Sequence, residues 1–427
     1  MDPLQIICRI ESGALDARLS DLYGADALPA ARARYAALLR AFVERFGAER
    51  EISIFSVPGR TELSGNHTDH NRGRVLAAAV DLDIIAVAAA SEGPTVRLHS
   101  LGRPENCVDI SDFTAPRPER FSHSDALIAG VCTELRARGF AAGGFDAVTT
   151  SNVPKGSGLS SSAAFENTVG TIENYLYNNG KIDALTLAQT SQAAENRFFG
   201  KPCGLMDQAA SAVGGIVAID FENEAAPRVE KVAFDFAAAG YRLCIVRTGG
   251  SHSDLTPDYA AVPAEMKTVA AAFGKTVLRE VSEAEVLAAL PALRASVGDR
   301  AVLRALHFFA ENRRVEAEVA ALKAGDIADF LAGVRASGLS SFCYLQNIYS
   351  PAHPAEQGVS LALCIAERLL APVGGVCRVH GGGFAGTVQA FVPAAAVADF
   401  CDGMNAVFGA GACSPLSVRA AGAVKLM

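Results

Sequence analysis

The sequence predicts an α+β protein of two domains. Three observations carry this: 427 residues at about 150 per domain, segments of both strand-like and helical spacing in each half, and a charged, weakly periodic stretch from Glu222 to Lys231 between the halves. We expect an N-terminal domain over 1–220, a C-terminal domain over 221–427 and a site in the cleft between them. With 38 Lys+Arg against 46 Asp+Glu, a net charge of −8, 20% charged and 50% hydrophobic residues, the chain is compact rather than disordered. It has no basic block suited to nucleic acid or an anionic membrane, so its expected partners are small molecules or other protein chains. The sequence sets no oligomeric state.

Tyr35, Leu38, Leu39, Phe42 and Phe46 repeat at helical spacing and end at Gly47, so a helix is expected over 27–47. Strands follow at 52–57, 80–90 and 95–100. A strand from Phe145 enters the loop Pro154-Lys-Gly-Ser-Gly-Leu-Ser-Ser-Ser162, from which a long helix runs to about Asn178. A second helix is expected over 185–199, closed by Gly200, and a strand over 215–220. In the second half, strands are expected at 242–247, 376–379 and 388–392, with helices over 260–273, 283–293 and 310–334.

The ten cysteines are spread from Cys8 to Cys413 without a CxxC pair, which excludes a zinc ribbon and suits unpaired thiols in a reducing compartment. Asp2, Arg9, Glu11 and Asp16 interrupt any signal-like run. Asp81 and Asp83 break the most apolar stretch, 75–90, short of a membrane span. A cytosolic location is expected.

The loop at 154–162 has the chemistry of a polyphosphate cradle. Small residues let backbone N–H groups approach an anion, a helix dipole points at it, and serine hydroxyls offer further contacts. It lacks the GxxxxGK[ST] of a Walker loop, and Ser161 stands where a dinucleotide fingerprint needs glycine. His380-Gly-Gly-Gly383 could serve as a hydrolase oxyanion loop, but no serine sits in a G-x-S-x-G elbow.

Four separated segments resemble one family. Gly59-Arg-Thr-Glu-Leu-Ser-Gly-Asn-His-Thr-Asp-His-Asn71 is similar to the galactokinase signature. Pro154 to Ala163 resembles the phosphate loop of the wider GHMP small-molecule kinases, Cys203-Gly-Leu-Met-Asp-Gln208 the segment with the catalytic aspartate, and Gly381 to Gly386 the third glycine motif. The resemblance implies a two-domain GHMP kinase-like fold and ATP- and Mg²⁺-dependent transfer of a γ-phosphoryl group to the anomeric hydroxyl of galactose or a related sugar. It implies Asp207 as base or orienting carboxylate paired with Arg60, and Asn66, His67, Asp69 and Tyr259 at the sugar. Pro154, Gly156, Ser157, Gly158, Leu159, Ser160, Ser161 and Ser162 would hold the nucleotide, with Ser162 and Glu195 holding the metal; apart from the resemblance, Lys155 is either a phosphate contact or a solvated loop lysine. The chemistry agrees: phosphoryl transfer depends on positioning and charge, and Mg²⁺ takes hard oxygen ligands while keeping water and phosphate in its shell.

The chain departs from that family at Glu62, Ser64, Asn66 and His70, where the signature carries Asn, Ile, Glu and Tyr, and at 346–350, which lacks a Cys-Pro-Glu pattern. Loss of the glutamate at Asn66 removes a negative charge expected near the far end of the sugar. That admits a uronic acid or N-acetylated sugar as acceptor, or a silent sugar and ATP sensor, beside galactose.

Overall fold

The computed structural model describes residues 3–112, 115–154, 158–201, 203–250 and 255–427. In chain order its strands are β1 Ser53–Ser64, β2 Arg74–Ala90, β3 Thr95–Ser100, β4 Asn106–Asp109, β5 Phe145–Ser151, β6 Ile216–Asp220, β7 Arg228–Val232, β8 Tyr241–Arg247, β9 Val376–His380, β10 Thr387–Pro393, β11 Cys413–Leu416 and β12 Val424–Lys425. The first sheet runs β12-β1-β2-β5-β3-β4, with β6 and β7 continuing from the other end of β2; the second runs β11-β8-β10-β9. All pairings are antiparallel except β3 with β5. The charged stretch after residue 220 becomes edge strand β7, where charged side chains are suited to a solvent-facing rim.

The long apolar run at 75–90 is strand β2, and its composition follows from burial on both faces. Ala86 and Ala88 face a core shared with Ile128, Val131, Val169 and Ile172, while Ile85 and Val87 face another with Leu38, Leu39 and Phe42. Neighbouring residues of a strand point to opposite faces, so a strand covered twice needs apolar side chains at nearly every position. Asp83, within that run, is buried and held by Arg34 and by the fully buried Arg419 from the C-terminal tail. The tail is thereby pinned to the first sheet beside β12.

The expected helix at 27–47 is present as Leu28–Phe46, and that after the glycine loop as Ser161–Tyr177. Two later expectations divide. The stretch 283–293 forms Glu283–Ala288 and Leu290–Ser296, with Pro291 at the start of the second helix, where its missing N–H costs nothing. Residues 310–334 belong to Asp299–Ala324 and Ile327–Ser340, separated by Gly325 in the left-handed region.

Helices Gly358–Leu370 and Val397–Phe408 cover the second sheet around Val379, Val388 and Phe400. In this core the sulfurs of Cys244, Cys401 and Cys413 lie within 4.8 Å of one another. Among the described residues, no helix is long and apolar enough to cross a membrane.

Candidate active site

Arg60 lies on β1 between two register shifts, Pro58/Arg60 and Glu62/Ser64. Bulges re-aim side chains, and Arg60 meets Asp207 in the first turn of helix Met206–Val213. Its guanidinium makes a fork, Nε to Oδ1 at 2.7 Å and Nη2 to Oδ2 at 2.6 Å. Nη1 also donates to the Gly158 carbonyl. Ser160 Oγ donates to Asp207 Oδ2 at 2.7 Å. Burial pushes the Asp207 carboxyl up, but Arg60 and the Ser160 hydroxyl more than offset it and hold the pKa below the usual aspartate value.

Ser160 occupies the N-cap position of helix Ser161–Tyr177 in the left-handed region, φ 54°, and makes no capping bond. Its hydroxyl is committed to Asp207. The first turn also has no acidic residue, so no side chain of the helix itself competes for its N–H groups and dipole. Pro154, Leu159, Ser161 and Ser162 lie along this approach; Leu159 is buried, and its carbonyl accepts the Arg60 N–H at 3.1 Å. Gly158, φ 70°, packs so closely against His380 and Thr387 that a Cβ would meet them at 2.7 and 2.8 Å. Lys155, Gly156 and Ser157 lie outside the described residues.

The expected helix over 185–199 is α-helical only over Ala184–Ala194; Glu195–Phe199 form a π-turn, closed by Gly200. Such widened turns re-aim side chains and recur at functional sites. Here Glu195 turns inward: Oε1 lies 3.0 Å from Lys201 Nζ, and Oε2 accepts from Gln208 Nε2 at 2.9 Å. The same amide donates to Glu166 Oε2 at 3.2 Å. Burial, then the nearby Glu195 charge, pushes the Glu166 carboxyl well above the usual range. Sequence reasoning passed over Glu166 and Gln208; the signal was the four-residue spacing from Ser162 to Glu166, which puts both on one helix face. The resemblance to the GHMP kinases implies a divalent cation. The donor set fits one: Glu166 Oε1 and Gln208 Oε1 are buried without a hydrogen-bond partner, and hard oxygens predominate.

The 65–74 loop is braced by helix Asp299–Ala324: His307 Nε2 donates to Asn66 O at 3.0 Å, Glu311 accepts from Gly65 N at 3.0 Å, and Asn312 accepts from Arg74 N at 2.6 Å. The loop is also tied to the third glycine motif. Asn66 Nδ2 donates to Gly381 O at 2.7 Å and to Glu62 Oε1 at 2.9 Å, while its Oδ1 accepts from Asn347 at 2.7 Å. The Asn66 amide hydrogens are thus spent within the protein. Glu62 pairs with the fully buried Arg378 at 2.7 Å.

His67, φ 58°, donates from Nε2 to Gly382 O at 2.8 Å and is neutral, burial depressing its pKa to about 4. Tyr259 donates to Gly383 O at 2.9 Å and stands edge-on to Phe384. Asp69 is half-buried; Oδ1 accepts the His70 N–H at 2.9 Å, and Oδ2 lies against Gly204, where any Cβ would collide with it. Asp69 is thereby brought to the segment carrying Asp207. His380, missed as a site residue, is the buried post against Gly158: Nε2 accepts from Glu62 N at 3.3 Å, and Nδ1 faces Thr387 Oγ1 at 3.0 Å.

Residues 126–215 match the model described as GHMP kinases N terminal domain, and residues 40–90 the galactokinase galactose-binding signature. The chain is 34% identical over 363 residues to a galactokinase of Streptomyces coelicolor, covering 83% of this chain and 88% of the relative. The structure of Lactococcus lactis galactokinase complexed with galactose superposes with a TM-score of 0.75 at 26% identity, covering 90% of this chain and 98% of that one. Methanococcus jannaschii mevalonate kinase shares the fold at a TM-score of 0.61 and 14% identity, over 86% and 98% of the two chains. The chain belongs to the galactokinase family.

Proposed function

We propose that the chain is an ATP-dependent kinase that transfers the γ-phosphoryl group to the anomeric hydroxyl of galactose, giving galactose 1-phosphate and ADP. The observation that carries this reading is the carboxylate of Asp207, held by Arg60 and Ser160 at the mouth of an uncapped helix N-terminus. The family relationship favours galactose over a uronic or N-acetylated sugar and an enzyme over a silent sensor. The charge argument at Asn66 loses its force because that amide is engaged inside the protein.

In this reading the sugar lies between Asp69 and Asp207, with His67 and Tyr259 shaping its surroundings and Asn66 holding the loop. The sugar hydroxyl donates a hydrogen bond to Asp207, and its oxygen attacks the γ-phosphorus as the bond to the β-bridging oxygen breaks. A carboxylate of depressed pKa is a weak base, so Asp207 chiefly orients the hydroxyl and takes its proton late, as suits a loose transition state. Arg60 steadies the carboxylate and the charge on the transferring group. The loop N–H groups receive the triphosphate end, and Ser162 and Glu195 would hold a divalent cation, which would supply charge neutralisation at the phosphate oxygens. The same reading places the enzyme in the cytosol.

The test is ADP release with Mg·ATP against galactose, galacturonate, N-acetylgalactosamine and arabinose. Galactose should give the highest kcat/KM; no turnover with any of them would overturn the reading.

A further inference from the structure

We propose that Glu166 is part of the cation site, placed beside Glu195 to bind the metal that accompanies the nucleotide. The inference rests on the kinase reading and adds to it a residue that the family motifs do not assign.

Glu166 lies one helical turn beyond Ser162 on the helix that opens at the phosphate loop, so the two side chains share a face. Its carboxylate is fully buried, at 0% exposure. Oε2 shares the single Gln208 Nε2 with Glu195, at 3.2 and 2.9 Å. Two acidic side chains thus converge on one amide.

Burial of such a pair is costly unless its charge and lone pairs are satisfied. Glu195 is satisfied by Lys201 and Gln208, but Glu166 Oε1 and, beside it, Gln208 Oε1 have no hydrogen-bond partner. Within this neighbourhood Glu166, Glu195 and Asp207 face Arg60 and Lys201. Arg60 is committed to Asp207. Lys201 reaches Glu195 Oε1 from a side chain that is 62% exposed, a tether that can be released at small cost. The group therefore offers buried oxygen acceptors that no protein donor uses, a match for a hard divalent cation. Gln208 bridges the two carboxylates and keeps them together.

The experiment measures Mn²⁺ binding by electron paramagnetic resonance in the full-length protein with a non-hydrolysable ATP analogue, and analogue affinity without metal by calorimetry. Glu166→Gln keeps size and hydrogen bonding but cannot become an anionic ligand. It should weaken Mn²⁺ binding about 10–100-fold and leave metal-free analogue affinity within about twofold. Glu166→Ala should lose Mn²⁺ at least as severely, and if it fails to fold the glutamine variant decides alone. Wild-type Mn²⁺ affinity in Glu166→Gln would overturn the proposal and make Glu166 a structural residue, as would equal losses of analogue affinity with and without metal. A wild-type protein that binds no analogue under either condition would instead overturn the kinase reading, and this inference with it.

Discussion

Ser160 stands at the N-cap of its helix yet gives its hydroxyl to Asp207, 2.7 Å away. One side chain thus performs two tasks. It restrains the carboxylate, and it leaves the first-turn N–H groups without a side-chain cap. Ser160→Ala should lower kcat about tenfold or more, the effect of losing a hydrogen bond to a charged group. Ser160→Gly should lose as much activity yet be about 1 kcal/mol more stable than the alanine variant, because glycine tolerates φ 54°. Denaturant titrations beside steady-state kinetics check both parts; an alanine variant at least as stable as the glycine one would contradict the backbone argument.

Asp207→Asn should reduce kcat by about 10²–10⁴-fold while the ATP analogue binds as before. Arg60 bears on the pH profile. Burial raises the Asp207 carboxyl, and Arg60 is the larger of the opposing influences that hold it below the usual value. With Arg60→Met, burial prevails, the pKa rises, and the acid limb of kcat/KM should move to higher pH than in the wild type. An unmoved limb in the variant would remove Arg60 from this role.

Gly204 packs against the Asp69 carboxylate. Gly204→Ala should displace Asp69 and raise KM for galactose at least about tenfold, since a site built around hydrogen bonds loses much when one group is misplaced. Affinity for the nucleotide analogue should remain unchanged, so calorimetry with each ligand separates the two effects.

Glu318 on helix Asp299–Ala324 is buried with neither carboxylate oxygen hydrogen-bonded, and burial raises its pKa to about 8 from an ordinary 4.5. The raised folded-state value means that its contribution is fully present below about pH 4.5 and is lost as pH rises toward 8. Glu318→Gln removes this titration. The difference in Tm, variant minus wild type, should become more positive between pH 5 and pH 8; a difference independent of pH would show that Glu318 ionises normally.

Much of this architecture is visible in local sequence. The helix at Leu28–Phe46 follows from the spacing of Tyr35, Leu38, Leu39 and Phe42, and its end from Gly47. Strand β3 has the expected span, 95–100. By contrast, the helices Pro3–Glu11 and Asp16–Tyr23 were not expected, although their Ile6, Ile10 and Leu19 pack on the first sheet. Their apolar pattern is short, and only the sheet supplies the partner that makes it worth forming. The two-residue β12 is likewise a strand only because β1 is there to receive it.

The site divides in the same way. The sequence by itself determined the groups available: a glycine and serine loop whose chemistry lies in one contiguous segment, and Arg60, Asp69, Asp207, Glu195 and a second set of glycines, which were legible through resemblance to the galactokinase signature and the GHMP motifs. The tertiary structure alone decided which of them meet. It joined Arg60 to Asp207 across 147 positions and His67 to Gly382 across 315, spent the Asn66 amide inside the protein, and set Glu166 beside Glu195. The reason is physical: residue type and local spacing are properties of a short stretch of chain, whereas the burial, charge and hydrogen bonding that give a carboxylate its role depend on distant segments brought into contact by the packed sheets and helices.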